Sequence, residues 1–135
     1  MLTNSPKILK IKSDKSELKK VNEFLSEIFM KHNLPQKKFN NVFLCISEAV
    51  INSIEHGNNN NSNILVSIGI DSFLNKIHIN IKDDGEGFDF RKVEDPTCSE
   101  NVKKETGRGI HIIKSLSDNV EYNEKGNSVR FKIKF

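Results

Sequence analysis

The chain has 135 residues and a formal net charge of +3, from 21 basic and 18 acidic side chains. This length suits one domain with one packed core, and 36% hydrophobic with 29% charged residues is typical of a globular rather than a disordered chain. The charge excess is small and spread out, so direct nucleic-acid binding is not expected. No apolar run approaches the roughly 20 residues that cross a bilayer, and no secretory signal opens the chain. We therefore expect a cytoplasmic protein that does not contact membranes.

Cysteine and histidine usage excludes two further classes of site. Cys45 and Cys98 stand apart with no pairing motif around either, which fits a reducing compartment without a disulfide framework. The four histidines are scattered and lack a second ligand at metal spacing. A zinc site is therefore not expected.

The first half of the chain predicts a strand and two helices. Residues 8–12 are β-tolerant and predict a short edge strand. Apolar residues then recur at helical spacing, so residues 14–32 predict an amphipathic helix that Asn33-Leu34-Pro35 interrupts. A second helix with a broad apolar stripe is predicted from about residue 35 to 56, and Gly57 with the asparagines after it ends that helix.

The second half predicts two hairpins around a loop and a short helix. Residues 63–70 and 76–82 alternate apolar and polar side chains, which predicts an antiparallel hairpin with its turn at 71–75. A loop over 83–106 precedes a helix over 108–117.

The closing hairpin pairs residues 119–123 with residues 128–135, which alternate most clearly of all. Together these elements predict a two-layer α/β sandwich with helices on one face of a single sheet. No linker divides the chain, so one domain over residues 1–135 is expected.

Three segments carry candidate chemistry, and the first lies on the second helix. Glu48, Asn52 and His56 are four residues apart and form one polar ridge beside the apolar stripe. Taken alone, such a ridge is best interpreted as a solvated helix face. Asparagine is a mediocre helix former, however, and a neutral oxygen beside a carboxylate suits a hydrated Mg²⁺.

The second segment, Asp83-Asp84-Gly85-Glu86-Gly87, directly follows a predicted strand. A carboxylate at a strand end can accept a hydrogen bond from an adenine amino group, and the glycines let the backbone approach a flat base. An ordinary acidic turn is the alternative. That alternative is weakened because the hydrophobic alternation stops here and no strand follows for many residues.

The third segment, Thr106-Gly107-Arg108-Gly109, opens the last predicted helix. Glycines before a helix expose backbone N–H groups where the helix dipole favours phosphate, and Arg108 can add a charged contact. A flexible entry to the helix is the alternative. The spacing is neither that of the phosphate loop with lysine nor that of the dinucleotide fingerprint.

The order and spacing of the three segments are more specific than any one of them. A helix with Glu-x-x-x-Asn, a strand ending in Asp-x-Gly-x-Gly and a Gly-x-Gly before a helix resemble the GHKL ATP-binding fold of histidine kinases and type II topoisomerases. Within it, Ser47-Glu48-Ala49-Val50 with Asn52 and Gly107-Arg108-Gly109 look most like the anti-sigma factor serine kinases. The resemblance covers nearly the whole chain and implies a mixed, mostly antiparallel sheet.

The resemblance also implies a role for individual residues. It assigns Glu48 to general-base catalysis, Asn52 to Mg²⁺ and Asp83 to the adenine amino group of ATP. Gly85 and Gly87 would shape the base pocket. The residues implied along the phosphates are Thr106, Gly107, Arg108 and Gly109. Residues 88–106 would form a lid over ATP.

As a function, the resemblance implies phosphoryl transfer from ATP to a serine or threonine of a small antagonist protein. The same chain would bind and hold a sigma factor, and the family suggests a homodimer. An ATPase in which Glu48 activates water stays open, as does a regulator that sequesters its partner and uses ATP only to hold a conformation. A histidine kinase catalytic domain fits less well, because His32 beside Asn33 and Pro35 is a poor place for a phosphoacceptor.

Overall fold

A five-stranded sheet forms one layer of the protein. The computed structural model describes residues 7–57, 63–83, 112–114, 116–123 and 127–135. The strands are β1 (Lys7–Lys12), β2 (Leu65–Phe73), β3 (Lys76–Asp83), β4 (Asp118–Tyr122) and β5 (Ser128–Lys134). Their order is β1-β2-β3-β5-β4, and each neighbouring pair is antiparallel. The expected antiparallel character is confirmed, and no parallel pair occurs among the described strands.

The β2–β3 hairpin has a shorter turn than the sequence predicted. Residues 71–73, expected in the turn, continue β2 and pair with β3 as far as Phe73 opposite Lys76. Leu74 and Asn75 make the turn alone, with φ of 56° and 58°. Two successive left-handed residues are typical of a type I′ turn, whose twist matches that of the flanking strands. The predicted turn over 71–75 is therefore wrong in length.

In the described part of the chain, the second layer contains two α-helices of 14 residues each. They are α1 (Leu18–Lys31) and α2 (Phe39–Asn52). A short 3₁₀ turn precedes each helix, and the carboxylate of Asp14 caps the first turn by accepting a hydrogen bond from the Ser16 N–H at 2.9 Å. No helix within the described ranges is long and apolar enough to span a bilayer.

The end of α2 differs from the prediction. The sequence placed this helix as far as residue 56, but the α-helix ends at Asn52 and the backbone continues as a π-helix over Ser53–Gly57. A π-helical turn is wider than an α-helical one and frequently marks a functional site. Of the helix predicted at 108–117, residues 112–114, 116 and 117 are described. Residues 112–114 and 116 are helical, and Ser117 is not.

Both helices cover the same face of the sheet, and the core lies between the two layers. Alternate residues of the three central strands point into it, as the period-two pattern predicted. They are Val66, Ile68 and Ile70, then Ile77, Ile79 and Ile81, then Val129, Phe131 and Ile133. Each fully buried side chain of this size contributes about 1.5–3 kcal/mol. The two-layer sandwich is therefore confirmed.

One end of this interface is filled by aromatic rings, and we call it the aromatic end. It consists of Phe29, Phe39, Phe43 and Phe135. The Phe29 ring meets the Phe39 ring edge to face at a centroid distance of 5.1 Å, and the Phe135 ring at 6.3 Å. Such pairs add about 0.5–1.5 kcal/mol beyond the area that they bury.

Candidate ATP site at the end of the second helix

The candidate catalytic residues lie on the last two turns of α2. Glu48 and Asn52 are one turn apart, as the spacing predicted, but they are not on a solvated face. Glu48 is half-buried and Asn52 is only 5% exposed. The solvated-face interpretation of the ridge is therefore wrong for Asn52, because the side chain points between the helix and the sheet.

Asn52 lines a small cavity between α2 and the ends of β3, β4 and β5. The lining residues are Ala49, Asn52, Ser53, Ile81, Tyr122, Asn127, Ser128 and Val129. We call the polar residues at this end of the interface the polar end of the core. They are Asn52, Ser53, Asp83, Tyr122 and Asn127. The methyl group of Ala49 leaves room beside Asn52 where a larger side chain would fill the space.

The amide of Asn52 has unused hydrogen-bonding capacity. Its Nδ2 is buried and has no hydrogen-bond partner among the residues that the structure describes. Leaving a buried polar group unpaired costs about 1–3 kcal/mol. An asparagine retained at this cost fits a position where a ligand completes its hydrogen bonds, and its oxygen is a donor atom suited to Mg²⁺.

Ser47, on the same helix, carries another buried polar atom that has no partner among the described residues. Its Oγ is buried without a hydrogen-bond partner in the described part of the chain. Ser47 lines a different, largely apolar groove, which Leu18 of α1 and Phe43 and Leu44 of α2 also border. It therefore lies beside Glu48 in sequence but outside the cavity that contains Asn52.

Asp83 is the last residue of β3 and points into the same layer as Ile81. It is 1% exposed, so its side chain is shielded from water. Its backbone N–H donates to the carbonyl of Asn127 at 2.9 Å, and Asn127 Nδ2 donates back to the carbonyl of Asp83 at 3.2 Å. The strand-end position that the sequence predicted is confirmed.

Two weakly acidic side chains, the Cys45 thiol and the Tyr122 phenol, lie near this region. Burial, followed by the negative charge of Glu48, raises the pKa of the Cys45 thiol to about 12, and burial raises the pKa of the Tyr122 phenol to about 12. Both groups are therefore protonated at neutral pH, and Cys45 is a core residue rather than a nucleophile.

Several predicted site residues lie outside the described ranges. They are Gly85, Gly87, Thr106, Gly107, Arg108 and Gly109, together with the expected lid over 88–106. Of the predicted site residues that the structure describes, Asn52 lines the cavity and Glu48 lies one turn before it on α2. Asp83 ends β3, two residues after Ile81, which also lines the cavity. Within the described ranges, no group of three histidine, cysteine or acidic residues could hold a metal ion. Mg²⁺ needs no such cage, since it commonly binds one or two protein oxygens and completes its shell with water and phosphate.

Sequence reasoning missed Tyr122, Asn127 and Ser128 as neighbours of the site. They belong to the β4–β5 hairpin, whose order beside β3 is a property of the sheet and not of any local pattern. The sequence did contain one sign of these neighbours. The short polar segment Gly126-Asn127-Ser128 leads into the strand with the clearest alternation in the chain.

A family model and two relatives agree on the class of domain. The model described as histidine kinase-like ATPase domain matches residues 11–133. Serine-protein kinase RsbW of Oceanobacillus iheyensis is 34% identical over 88 residues, covering 61% of this chain and 56% of that protein. Serine-protein kinase RsbW of Staphylococcus aureus is 30% identical over 113 residues, covering 78% of this chain and 71% of that protein.

One solved structure shares the fold. The crystal structure of the RsbU and RsbW domains of Rv1364c from Mycobacterium tuberculosis superposes with a TM-score of 0.61 at 14% identity. The match covers 96% of this chain and 32% of that chain. The chain therefore spans just over half the length of the first relative and about a third of the mycobacterial protein.

Proposed function

Because this chain belongs to the histidine kinase-like ATPase family, we propose that it is an ATP-dependent serine/threonine protein kinase of the anti-sigma type. Two relatives that carry the name serine-protein kinase support this assignment. One observation carries it: the half-buried Glu48 lies one turn before the buried Asn52, whose Nδ2 has no hydrogen-bond partner in the part of the chain that the structure describes.

Each of these residues has a distinct task in the proposed reaction. Asn52 would hold Mg²⁺ through its side-chain oxygen, and the bound ion would offset the negative charge of the phosphates. Glu48 accepts the proton of the attacking serine or threonine hydroxyl. Asp83 accepts a hydrogen bond from the amino group of adenine.

Burial favours these tasks. A carboxylate at the nearly dry end of β3 makes a stronger and more selective hydrogen bond than one in water. Glu48, only half-buried, remains within reach of a hydroxyl that arrives from outside the chain. The proposed phosphate contacts of Thr106, Gly107, Arg108 and Gly109 and the lid over 88–106 belong to the same proposal, as does the single domain over 1–135.

The proposed partners are a sigma factor, which the protein holds inactive, and a small antagonist, which it phosphorylates and thereby switches off. Both come from the resemblance to the anti-sigma kinases, as does the proposed homodimer. The two RsbW relatives are consistent with this assignment, although each is covered only in part.

The test is transfer of label from γ-labelled ATP, with Mg²⁺, to a candidate antagonist domain. We expect wild type to label one serine or threonine and both Glu48→Ala and Asn52→Ala to abolish labelling. Two matched variants act as controls: Glu27→Ala removes an exposed glutamate of α1, and Asn41→Ala removes an exposed asparagine of α2. Both controls should keep full activity.

The same assay separates the competing functions. Release of phosphate without labelled partner would make the protein an ATPase. Binding of ATP with neither transfer nor hydrolysis would make it a sequestering regulator. Glu48→Ala is decisive for the kinase proposal, because a general base is required for transfer and not for nucleotide binding. A Glu48→Ala variant with wild-type transfer would overturn the assignment of the base.

A further inference from the structure

Two asparagine side chains, Asn123 directly after β4 and Asn127 directly before β5, are hydrogen-bonded to each other. Asn123 Nδ2 donates to Asn127 Oδ1 at 2.5 Å. Asn123 Oδ1 accepts from the backbone N–H of Asn127 at 3.0 Å and from that of Ser128 at 3.2 Å. The amide of Asn127 is thus held in one orientation, with its Nδ2 left to donate elsewhere.

That Nδ2 donates to the end of β3. The regular pairing of β3 with β5 ends at Lys82 opposite Ser128. Beyond it, Asp83 is held on both of its backbone groups: its N–H donates to the Asn127 carbonyl at 2.9 Å, and its carbonyl accepts from Asn127 Nδ2 at 3.2 Å. The contact joins residues 44 apart in sequence.

The position of a side chain at a strand end depends on whether the backbone there is fixed. Asp83 is the last residue of its strand, and a displacement of about 1 Å at a reacting or recognising group can cost on the order of a hundredfold in function. Positioning groups of this kind are held by a further layer of hydrogen bonds. The Asn123–Asn127 pair supplies such a layer at Asp83.

We propose that Asn127, oriented by Asn123, is a positioning residue that aims the Asp83 carboxylate at the exocyclic amino group of the purine base. The inference rests on the proposed function, because it assumes that Asp83 recognises adenine. Its consequence concerns selectivity: the pair sets how strongly the protein prefers a base with an amino group over one with a carbonyl oxygen at the same position.

The test compares binding of ATP and inosine triphosphate, in the presence of Mg²⁺, to the full chain. Inosine presents an oxygen where adenine presents the amino group. The ratio of the dissociation constant for inosine triphosphate to that for ATP therefore reports on Asp83. We expect wild type to prefer ATP and Asp83→Ala to lose that preference. Asn127→Ala should lower the ratio roughly three- to tenfold, the equivalent of one hydrogen bond. Asn123→Ala should lower it less.

Asn80→Ala is the matched control. Asn80 lies on the same strand three residues before Asp83, is exposed on the opposite face and contacts Ser128 Oγ at 3.2 Å. Its removal should leave the ratio unchanged. Asn127→Asp, which keeps the shape but replaces the donor with an oxygen, serves if Asn127→Ala does not fold, and should lower the ratio as well.

The outcomes distinguish the two proposals. If Asn127→Ala or Asn127→Asp weakens ATP and inosine triphosphate equally, the role of Asn127 is structural and the inference is overturned. If wild type binds both nucleotides equally well, or Asp83→Ala keeps the preference, adenine recognition by Asp83 fails and the positioning role fails with it. A lowered ratio in the Asn127 variants with an intact ratio in Asn80→Ala supports the inference.

Discussion

The two ends of the helix–sheet interface are built from opposite kinds of side chain. At the aromatic end, Phe29 and its neighbours pack edge to face with fully apolar contacts. At the polar end, Asn52 and Asp83 are almost as deeply buried, yet the Asn52 amide has no partner for its Nδ2 among the described residues. The same two layers therefore enclose apolar side chains at one end and polar ones at the other.

This difference indicates where the fold is used rather than merely held together. Apolar contacts need no ligand to be favourable, whereas a buried unpaired amide becomes favourable only when something binds it. Buried polar groups of this kind are expected at functional sites, where local stability is given up for binding. The predictions below separate the two ends experimentally.

The largest effect should come from the aromatic end. Phe29→Ala removes a fully buried ring and should lower the free energy of unfolding by about 3–5 kcal/mol, measured by urea denaturation. ATP affinity of the folded fraction should stay the same, because Phe29 is remote from Asn52. Met30→Ala, at the exposed next position, should change stability by less than about 0.5 kcal/mol. A loss below about 1 kcal/mol for Phe29→Ala would refute the division into two ends.

Alkaline pH should destabilise the protein through Cys45 and Tyr122. Their pKa values rise from 9.0 and 10.0 to about 12 in the folded chain, so both groups stay neutral on folding and ionise first when unfolded. Their contribution to stability is therefore complete below pH 9 and is lost as pH rises from 9 to 12. Between its unfolded and folded pKa values, each group lowers the free energy of unfolding by about 1.4 kcal/mol per pH unit.

Two variants assign this slope. Cys45→Ala should remove the part that begins near pH 9, and Tyr122→Phe the part that begins near pH 10, both read from urea midpoints against pH. An unchanged profile in both variants would mean that neither group is titrating with unfolding.

At the polar end, one substitution should raise stability. Asn52→Leu replaces a buried amide, whose Nδ2 has no partner within the described ranges, with an apolar side chain of similar size. It should increase the free energy of unfolding by about 1 kcal/mol. It should also abolish phosphate transfer. Asn41→Leu, on the exposed face of the same helix, is the control and should alter neither property appreciably. Loss of stability in Asn52→Leu would mean that the amide is satisfied within the fold.

The smallest effect is expected on the sheet face away from the helices. Arg130 and Glu121 lie 3.5 Å apart there, with both side chains more than half exposed. Exposed ion pairs contribute little because water and salt screen them. Glu121→Gln should change the urea midpoint by less than the equivalent of about 0.5 kcal/mol, and a larger loss would show that this face is shielded by a partner.

Local patterns predicted most elements but not their ends. Alternation in β5 predicted its first residue and its buried residues, and placed its end one residue beyond Lys134. The buried residues were predictable because side chains of a strand alternate whatever the tertiary context. The limits of α2 were less predictable: its apolar stripe continues to Ile54, while the backbone changes to a π-helix at Ser53. The π-helical segment contacts β3, and a helical period in the sequence does not report such a contact.

The candidate site also combines features that local sequence patterns predict with features that they do not. Glu48, Asn52 and Asp83 could be proposed from residue type and spacing, because a one-turn separation and a strand end are local properties. The burial of Asn52 could not be predicted from the sequence, since a polar residue beside an apolar stripe is usually solvated. Asn127 was missed because its contact with Asp83 depends on β5 lying next to β3.

The sequence by itself determined the two-layer architecture, the helical position of Glu48 and Asn52 and the strand-end position of Asp83, since each follows from a period of two or of 3.6 residues. Only the tertiary structure decided that the Asn52 amide is buried with no partner for its Nδ2 among the described residues, and that an asparagine pair holds Asp83. Those two features join segments far apart in the chain. Their energies depend on which groups exclude water and meet across the sheet, and the local order of residues does not contain that information.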